Sequence, residues 1–214
     1  MDTNERKVWH DAALDLAKAT WPLVNRFDAR GGYYYHRGED CIKTTTRKDG
    51  LTKQHFVEHF QARYSEDVIG LHCLNPETNS GRFIVIDIDA HHDDDCPEAN
   101  ERYAVHLYDT LAHRGVRVLP FTWDDSGYHC WLIFSSPVPG HKLHAFACNL
   151  ANQAEYLRRP PDVFPVQSHL TSPYGSWARL LGMHPKHRTW PKVYDGEAWR
   201  SGQAAVDTVL GGLK

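Results

Sequence analysis

The chain has 214 residues, 41% of them apolar, enough for one large domain or two small modules sharing a core. Its 24 basic and 27 acidic residues leave a formal charge of −3, which excludes bulk attraction to a polyanion, so any contact with nucleic acid has to come from local basic patches. Five widely spaced cysteines without a C-x-x-C pair argue against a disulfide framework and a zinc site, and the lack of a signal peptide or a bilayer-length apolar run predicts a cytoplasmic protein without membrane contact.

From Thr3, the residues Val8, Trp9, Ala12, Ala13, Leu16 and Ala17 recur at helical spacing, with Thr3 or Asn4 as N-cap and Pro22 beyond the end, which predicts one packing helix. Gly31 and Gly32 predict a turn feeding a short strand. Its tyrosines Tyr33, Tyr34 and Tyr35 either stack on bases or cover the edge of a small core, and the second reading is favoured. Thr52 caps a helix over 53–64 whose apolar face is Phe56, Val57 and Phe60. The basic residues Lys43, Arg47, Lys48 and Lys53 gather around Gly50, where they either meet DNA phosphates or keep a loop soluble. A strand over 67–74 and a loop or hairpin turn over 75–81 close an N-terminal α/β module, residues 1–80.

Beyond Gly81 the element types alternate. A strand over 82–89 precedes a helix over 97–113, a strand over 116–123, a turn at Asp124-Asp125-Ser126-Gly127, a strand over 128–134, a helix reaching about residue 156, and a strand over 163–167. The order β-α-β-β-α-β over residues 81–214 predicts an RRM-like, ferredoxin-like module with strand order 4-1-3-2, packed on the N-terminal module in an α+β core. The first of these strands is then central. Phe83 and Val85 would be exposed apolar surface on its open face unless the N-terminal module covers them, which places a site in the cleft between the modules.

That central strand, Phe83-Ile84-Val85-Ile86-Asp87-Ile88-Asp89, ends in two aspartates spaced i, i+2, and such residues project from one face about 7 Å apart. Paired carboxylates suit a hard dication such as Mg²⁺, and two such ions can bind the attacking and leaving oxygens of phosphoryl transfer. The alternative is that Asp89 to Asp95 form a solvated turn, because aspartate favours turns. The predicted topology weighs against it by bringing His129, at the start of the third strand, and Asp162, before the fourth, to the same end of the sheet. Asp162 is the expected third carboxylate, with Asp195 as competitor. His129 can donate to a phosphate oxygen, and Gly127 lets backbone approach a triphosphate. Further on, Arg179, His184, Lys186, His187, Arg188 and Lys192 cluster. Arg179 stands out because it sits in an apolar strand, where a charge is costly unless paired. The loop from Lys186 to Arg188 is either a solvated basic turn or a grip on template phosphates.

The combination Ile86-Asp87-Ile88-Asp89, then Ser126-Gly127-Tyr128-His129-Cys130-Trp131, then Asp162-Val163-Phe164-Pro165-Val166-Gln167 resembles the three motifs of the archaeo-eukaryotic primase superfamily, in the primase-polymerase form of plasmids, phages and mobile elements. The stretches Gly175 to Gly182, His184 to Arg188 and Tyr194-Asp195-Gly196 are similar to the segment that follows the third motif, so the resemblance covers roughly residues 68–196. It implies Asp87, Asp89 and Asp162 as ligands of Mg²⁺ or Mn²⁺, and Gly127 and His129 as contacts of the incoming NTP or dNTP. It also implies Arg179 and Lys186 near the triphosphate, and a single-stranded DNA template. The small residue before the histidine is Gly127, with Ser126 one place earlier than the pattern asks, and no zinc-binding set is present. No phosphate loop of the helicase type occurs either, so any helicase is expected on another domain or protein. Two other classes stay in view. A non-catalytic RRM-like binding domain would carry stacking aromatics where Asp87 and Asp89 stand. A metal-dependent nuclease would use the same carboxylates, whereas a rolling-circle initiator would need a His-hydrophobic-His pair after a strand, which is missing.

Overall fold

In the computed structural model, residues 3–39, 41–89, 96–154 and 157–213 are described. Residues 90–95, most of the stretch read alternatively as a solvated turn, lie outside them, as does the end expected for the helix near residue 156. The N-terminal apolar repeat forms two helices, α1 (Thr3–Asp11) and α2 (Ala13–Thr20), rather than one, with a break at Ala12. Trp9 is fully buried and stacks on Trp190 at 5.3 Å and Phe60 at 6.4 Å, so α1 is fixed from two sides by aromatic packing.

Gly31 and Gly32 do not form a turn. They belong to β1 (Arg30–His36), which pairs antiparallel with β2 (Cys41–Arg47). The glycines are required by packing: a Cβ on Gly31 would stand 2.2 Å from the indole of Trp177, and one on Gly70 2.1 Å from the same ring. Next comes α3 (Lys53–Phe60), capped by Thr52, whose hydroxyl accepts from the His55 N–H while His55 Nδ1 accepts from the Thr52 N–H. The helix stops four residues before the expected end. Fully buried His59 explains it: its Nδ1 accepts from the Ile69 N–H at 3.2 Å and its Nε2 donates to the Leu181 carbonyl at 2.8 Å, tying this turn to two other segments.

The strand β3 (Ile69–His72) pairs with β1 on one side and with β8 (Trp177–Arg179) on the other, giving a four-stranded sheet in the order β2-β1-β3-β8. Sheet membership therefore does not follow the division at residue 80, because β8 returns from far along the chain. The segment after β3 is a turn held by Asn75, whose Oδ1 accepts from the N–H groups of Glu77 and Thr78. It is not a hairpin, since β4 (Ser80–Ile88) starts the second sheet.

That second sheet continues through α4 (Pro97–Ala112), β5 (Arg117–Thr122), β6 (Tyr128–Pro139), α5 (Gly140–Asn152) and β7 (Asp162–Phe164), and is extended by β9 (Lys192–Tyr194) and β10 (Trp199–Arg200). Its order is β10-β9-β5-β6-β4-β7, all antiparallel, with β4 between β6 and β7. The helices α4 and α5 are linked by the Tyr103 hydroxyl donating to the Leu150 carbonyl. The last helix, α6 (Gly202–Gly212), packs on α1 and β9. The fold is thus mixed α/β, with two antiparallel sheets and six α-helices among the described residues. Phe83 and Val85 are fully buried, Phe83 stacking on Trp131 at 4.5 Å. No helix among the described residues is long and apolar enough to cross a membrane.

Candidate active site

Register places the carboxylates. Asp87 sits directly opposite His129 on β6 and Asp162 on β7, so the three side chains leave one face of the sheet together. Asp89 follows one residue beyond the end of β4. Ligand atoms of Asp87, Asp89 and His129 all lie within 4.8 Å of one another. Asp162 stands beside this group, exposed at the start of β7, close enough for its charge to raise the Asp87 pKa.

The group forms part of a cleft of about 510 Å³ between the two sheets. The first sheet contributes Tyr33, Thr44, Thr46, Trp177, Ala178 and Arg179, and the second contributes Val85, Asp87, His129 and Phe164. Arg179 spans the gap, its Nη2 lying 3.4 Å from His129 Nε2. Its guanidinium lies 4.0 Å over the ring of Trp123, which is itself fixed by donating to the Gly182 carbonyl at 2.7 Å. Trp123 also meets His129 edge-on at 5.0 Å and His184 at 5.4 Å. It thus positions three site residues. Its sequence environment at the end of an apolar strand reads only as core, so sequence reasoning passed over it, as it did Thr44 and Thr46.

The electrostatics are those of a site short of partners. Burial first, then the charge of Asp89, push Asp87 up to about 8, with Arg179 opposing and Asp162 adding to the rise. Burial, then Arg179 and His184, hold His129 well below the usual histidine range. His129 Nε2 lies 3.0 Å from Asp87 Oδ1 as well as near Arg179, and it can donate to one or accept from the other but not both. Asp87 Oδ1, His129 Nδ1 and Arg179 Nε are buried without a well-directed hydrogen bond. Two carboxylates and an imidazole with an orphaned buried oxygen fit a hard divalent cation, which would displace the Asp87 proton on binding.

The remaining expected site residues are placed as follows. Gly127 gives room to a carboxylate: a Cβ there would meet Asp89 Oδ1 at 3.0 Å. Ser126 donates its hydroxyl to Asp124, which also accepts from the N–H groups of Ser126 and Gly127, so the serine builds the β5–β6 turn and does not line the cleft. Asp195 is committed to the β9–β10 turn, accepting from the N–H groups of Glu197 and Ala198 and pairing with Arg200; these contacts depress it to about 2. Lys186, His187 and Arg188 are exposed on the loop after β8 and are not among the residues lining the cleft. Lys43 pairs with Glu39, and Arg47 donates to the Tyr33 carbonyl at 2.8 Å. Lys48 lies over the ring of Tyr174 and Lys53 over that of Trp21, at 4.9 and 5.7 Å. Thus the basic residues around Gly50 do not act as one cluster.

Among solved structures, the chain is similar to the polymerase domain of Mycobacterium tuberculosis ligase D in complex with DNA, with a TM-score of 0.49 and 15% identity over 99% of this chain and 93% of that one. No curated protein matches the sequence. The family model described as the archaeo-eukaryotic primase domain of the TOTE conflict system matches residues 26–173, well over half of the chain and including Asp87, Asp89, His129 and Asp162. The chain belongs to this archaeo-eukaryotic primase family.

Proposed function

We propose that the chain is a template-dependent nucleotidyltransferase, a DNA primase-polymerase core that joins NTPs or dNTPs on single-stranded DNA with two divalent ions, Mg²⁺ or Mn²⁺. The observation that carries this reading is the meeting of Asp87, Asp89 and His129 within 4.8 Å in a cleft that Arg179 enters from the opposite sheet. An anionic, metal-binding end facing a cationic end suits a nucleoside triphosphate. Family membership supports the same reaction class. The order β5-β6-β4-β7, with α4 and α5 linked through Tyr103, supports an RRM-like catalytic module, completed by an N-terminal module that covers its open face.

In this reading Asp87 and Asp89 hold the metals, and Asp162, across the ladder from Asp87, completes the set. Metal held there would supply the positive charge that phosphoryl transfer requires. His129 Nε2, which stands between Asp87 and Arg179, is the nitrogen proposed to meet the nucleotide phosphates. Arg179, already stacked on Trp123, presents its guanidinium without rearrangement, so its charge is in place before the reaction begins. Lys48 and Lys53, with Tyr174, Trp21 and exposed Phe27 beside them, are the proposed DNA contacts, because aromatics interleaved with cations suit single strands.

The test is incubation with single-stranded DNA, labelled nucleotides and Mg²⁺ or Mn²⁺, with and without an annealed primer. Lengthened oligonucleotides that disappear in the Asp87→Ala/Asp89→Ala protein are expected. Released mononucleotides with no synthesis would replace this reading with a nuclease.

A further inference from the structure

His184 lies in the basic segment after β8, which at first sight offers a cation to the cleft. Its surroundings say otherwise. Nδ1 accepts from two main-chain N–H groups of its own turn, Lys186 at 3.2 Å and His187 at 3.0 Å. A nitrogen that accepts two hydrogen bonds carries no proton, so the proton of the neutral ring resides on Nε2. The turn is closed further by the His184 N–H donating to the Thr189 carbonyl and the Arg188 N–H donating to the His184 carbonyl, both at 2.8 Å. The ring is held between the edge of Trp123 at 5.4 Å and the stacked ring of His187 at 4.6 Å.

The other end of the ring is unengaged. Among the described residues Nε2 makes no hydrogen bond, and it is not one of the buried polar atoms left without a partner. His184 lines the cleft on the side of Arg179. Burial, the Arg179 charge and the His187 ring push its pKa to about 3, so the ring stays neutral wherever the protein is folded near neutrality.

We propose that His184 is a binding residue of the cleft, a fixed neutral donor whose Nε2–H hydrogen-bonds a terminal phosphate oxygen of the bound nucleoside triphosphate. The inference rests on the primase-polymerase reading and adds a residue to it. A neutral donor at this point complements the fixed charge of Arg179 without adding a cation that would hold the leaving pyrophosphate.

The protein itself suggests the variants. Asn75 and Asp124 make the same turn with a side-chain oxygen, each accepting from the N–H groups two and three residues on. His184→Asn and His184→Asp should therefore both preserve the turn, while only asparagine keeps an N–H to offer; aspartate presents a second acceptor. Binding of a nucleoside triphosphate and of the matching monophosphate is measured by calorimetry with Mn²⁺ present, alongside primer extension. Triphosphate affinity should fall at least about tenfold in His184→Asp and no more than about threefold in His184→Asn, with monophosphate affinity unchanged in both, as for a lost bond to a charged group. Equal behaviour of the two variants, or an equal loss for monophosphate, in a wild-type protein that extends primers would overturn the role of His184 alone. A wild-type protein that neither binds triphosphate nor extends primers would overturn the reading beneath it as well.

Discussion

Asp87 concentrates the conflict in the site, since its carboxyl is surrounded by buried apolar strand and by Asp89. With its folded pKa raised to about 8, the protonated form is favoured in the native state, so the contribution to stability is complete below about pH 4 and is lost as pH rises towards 8. Metal-free protein should therefore melt at a lower temperature at pH 8 than at pH 5, and Asp87→Asn should remove most of that difference. Thermal melts in a chelator at the two pH values check this; an unchanged pH dependence in the variant would assign the loss to other groups. Saturating Mn²⁺ should raise the melting temperature of the wild type at pH 8 and leave the variant nearly unmoved. Arg179 gives the complementary expectation: Arg179→Ala should raise the nucleotide KM by about tenfold or more through loss of a charged hydrogen-bonding group, read from steady-state extension at varied nucleotide.

At the scale of elements, what could be read from sequence was whatever had a period. The β-branched run of β4 gave the strand, and its two-residue repeat gave the shared direction of Asp87 and Phe83; that both faces are buried, with Phe83, Ile84, Val85 and Ile86 all at 0% exposure, needed the packing around it. The order of long elements gave the neighbours of β4. Three-residue β8 carries no period, and that Arg179 joins the first sheet rather than the second is visible only once Trp177 is seen to need Gly31 and Gly70 beneath it. Likewise α3 ends at Phe60 through the tertiary bonds of His59, which no local signal announces. The glycine pair yields a prediction. Gly70→Ala should destabilise the protein by about 1–3 kcal/mol, the usual cost of overpacking, and weaken nucleotide binding by displacing Trp177 and its neighbour Arg179. Urea denaturation and nucleotide titration measure the two effects; a fully stable variant would mean that the ring shifts without cost.

For the molecule as a whole, a net charge of −3 limits how the proposed DNA contact can be made. Acidic residues near the proposed track are already neutralised from within: Asp28 by buried Arg26 at 2.7 Å and Asp49 by buried Arg30 at 2.8 Å. Lys48 and Lys53 are left facing solvent, each over an aromatic ring, and among the described residues neither has a carboxylate in ion-pair range. Tyr174 is the chain neighbour of Gly175, which lines the cleft, and Phe27, beside Trp21, is 54% exposed. Two lysine contacts mean shallow salt dependence, at roughly 0.7 per contact for a single strand, so a logarithmic plot of affinity against salt should have a slope of only about −1.4. Lys48→Ala/Lys53→Ala should flatten that slope by roughly 1.4. Phe27→Ala should lower affinity by about 1–3 kcal/mol through lost stacking while leaving the slope alone. Fluorescence anisotropy of a labelled oligonucleotide over a salt series separates the two contributions, and a much steeper slope that ignores both lysines would move the DNA to the exposed loop of Lys186, His187 and Arg188.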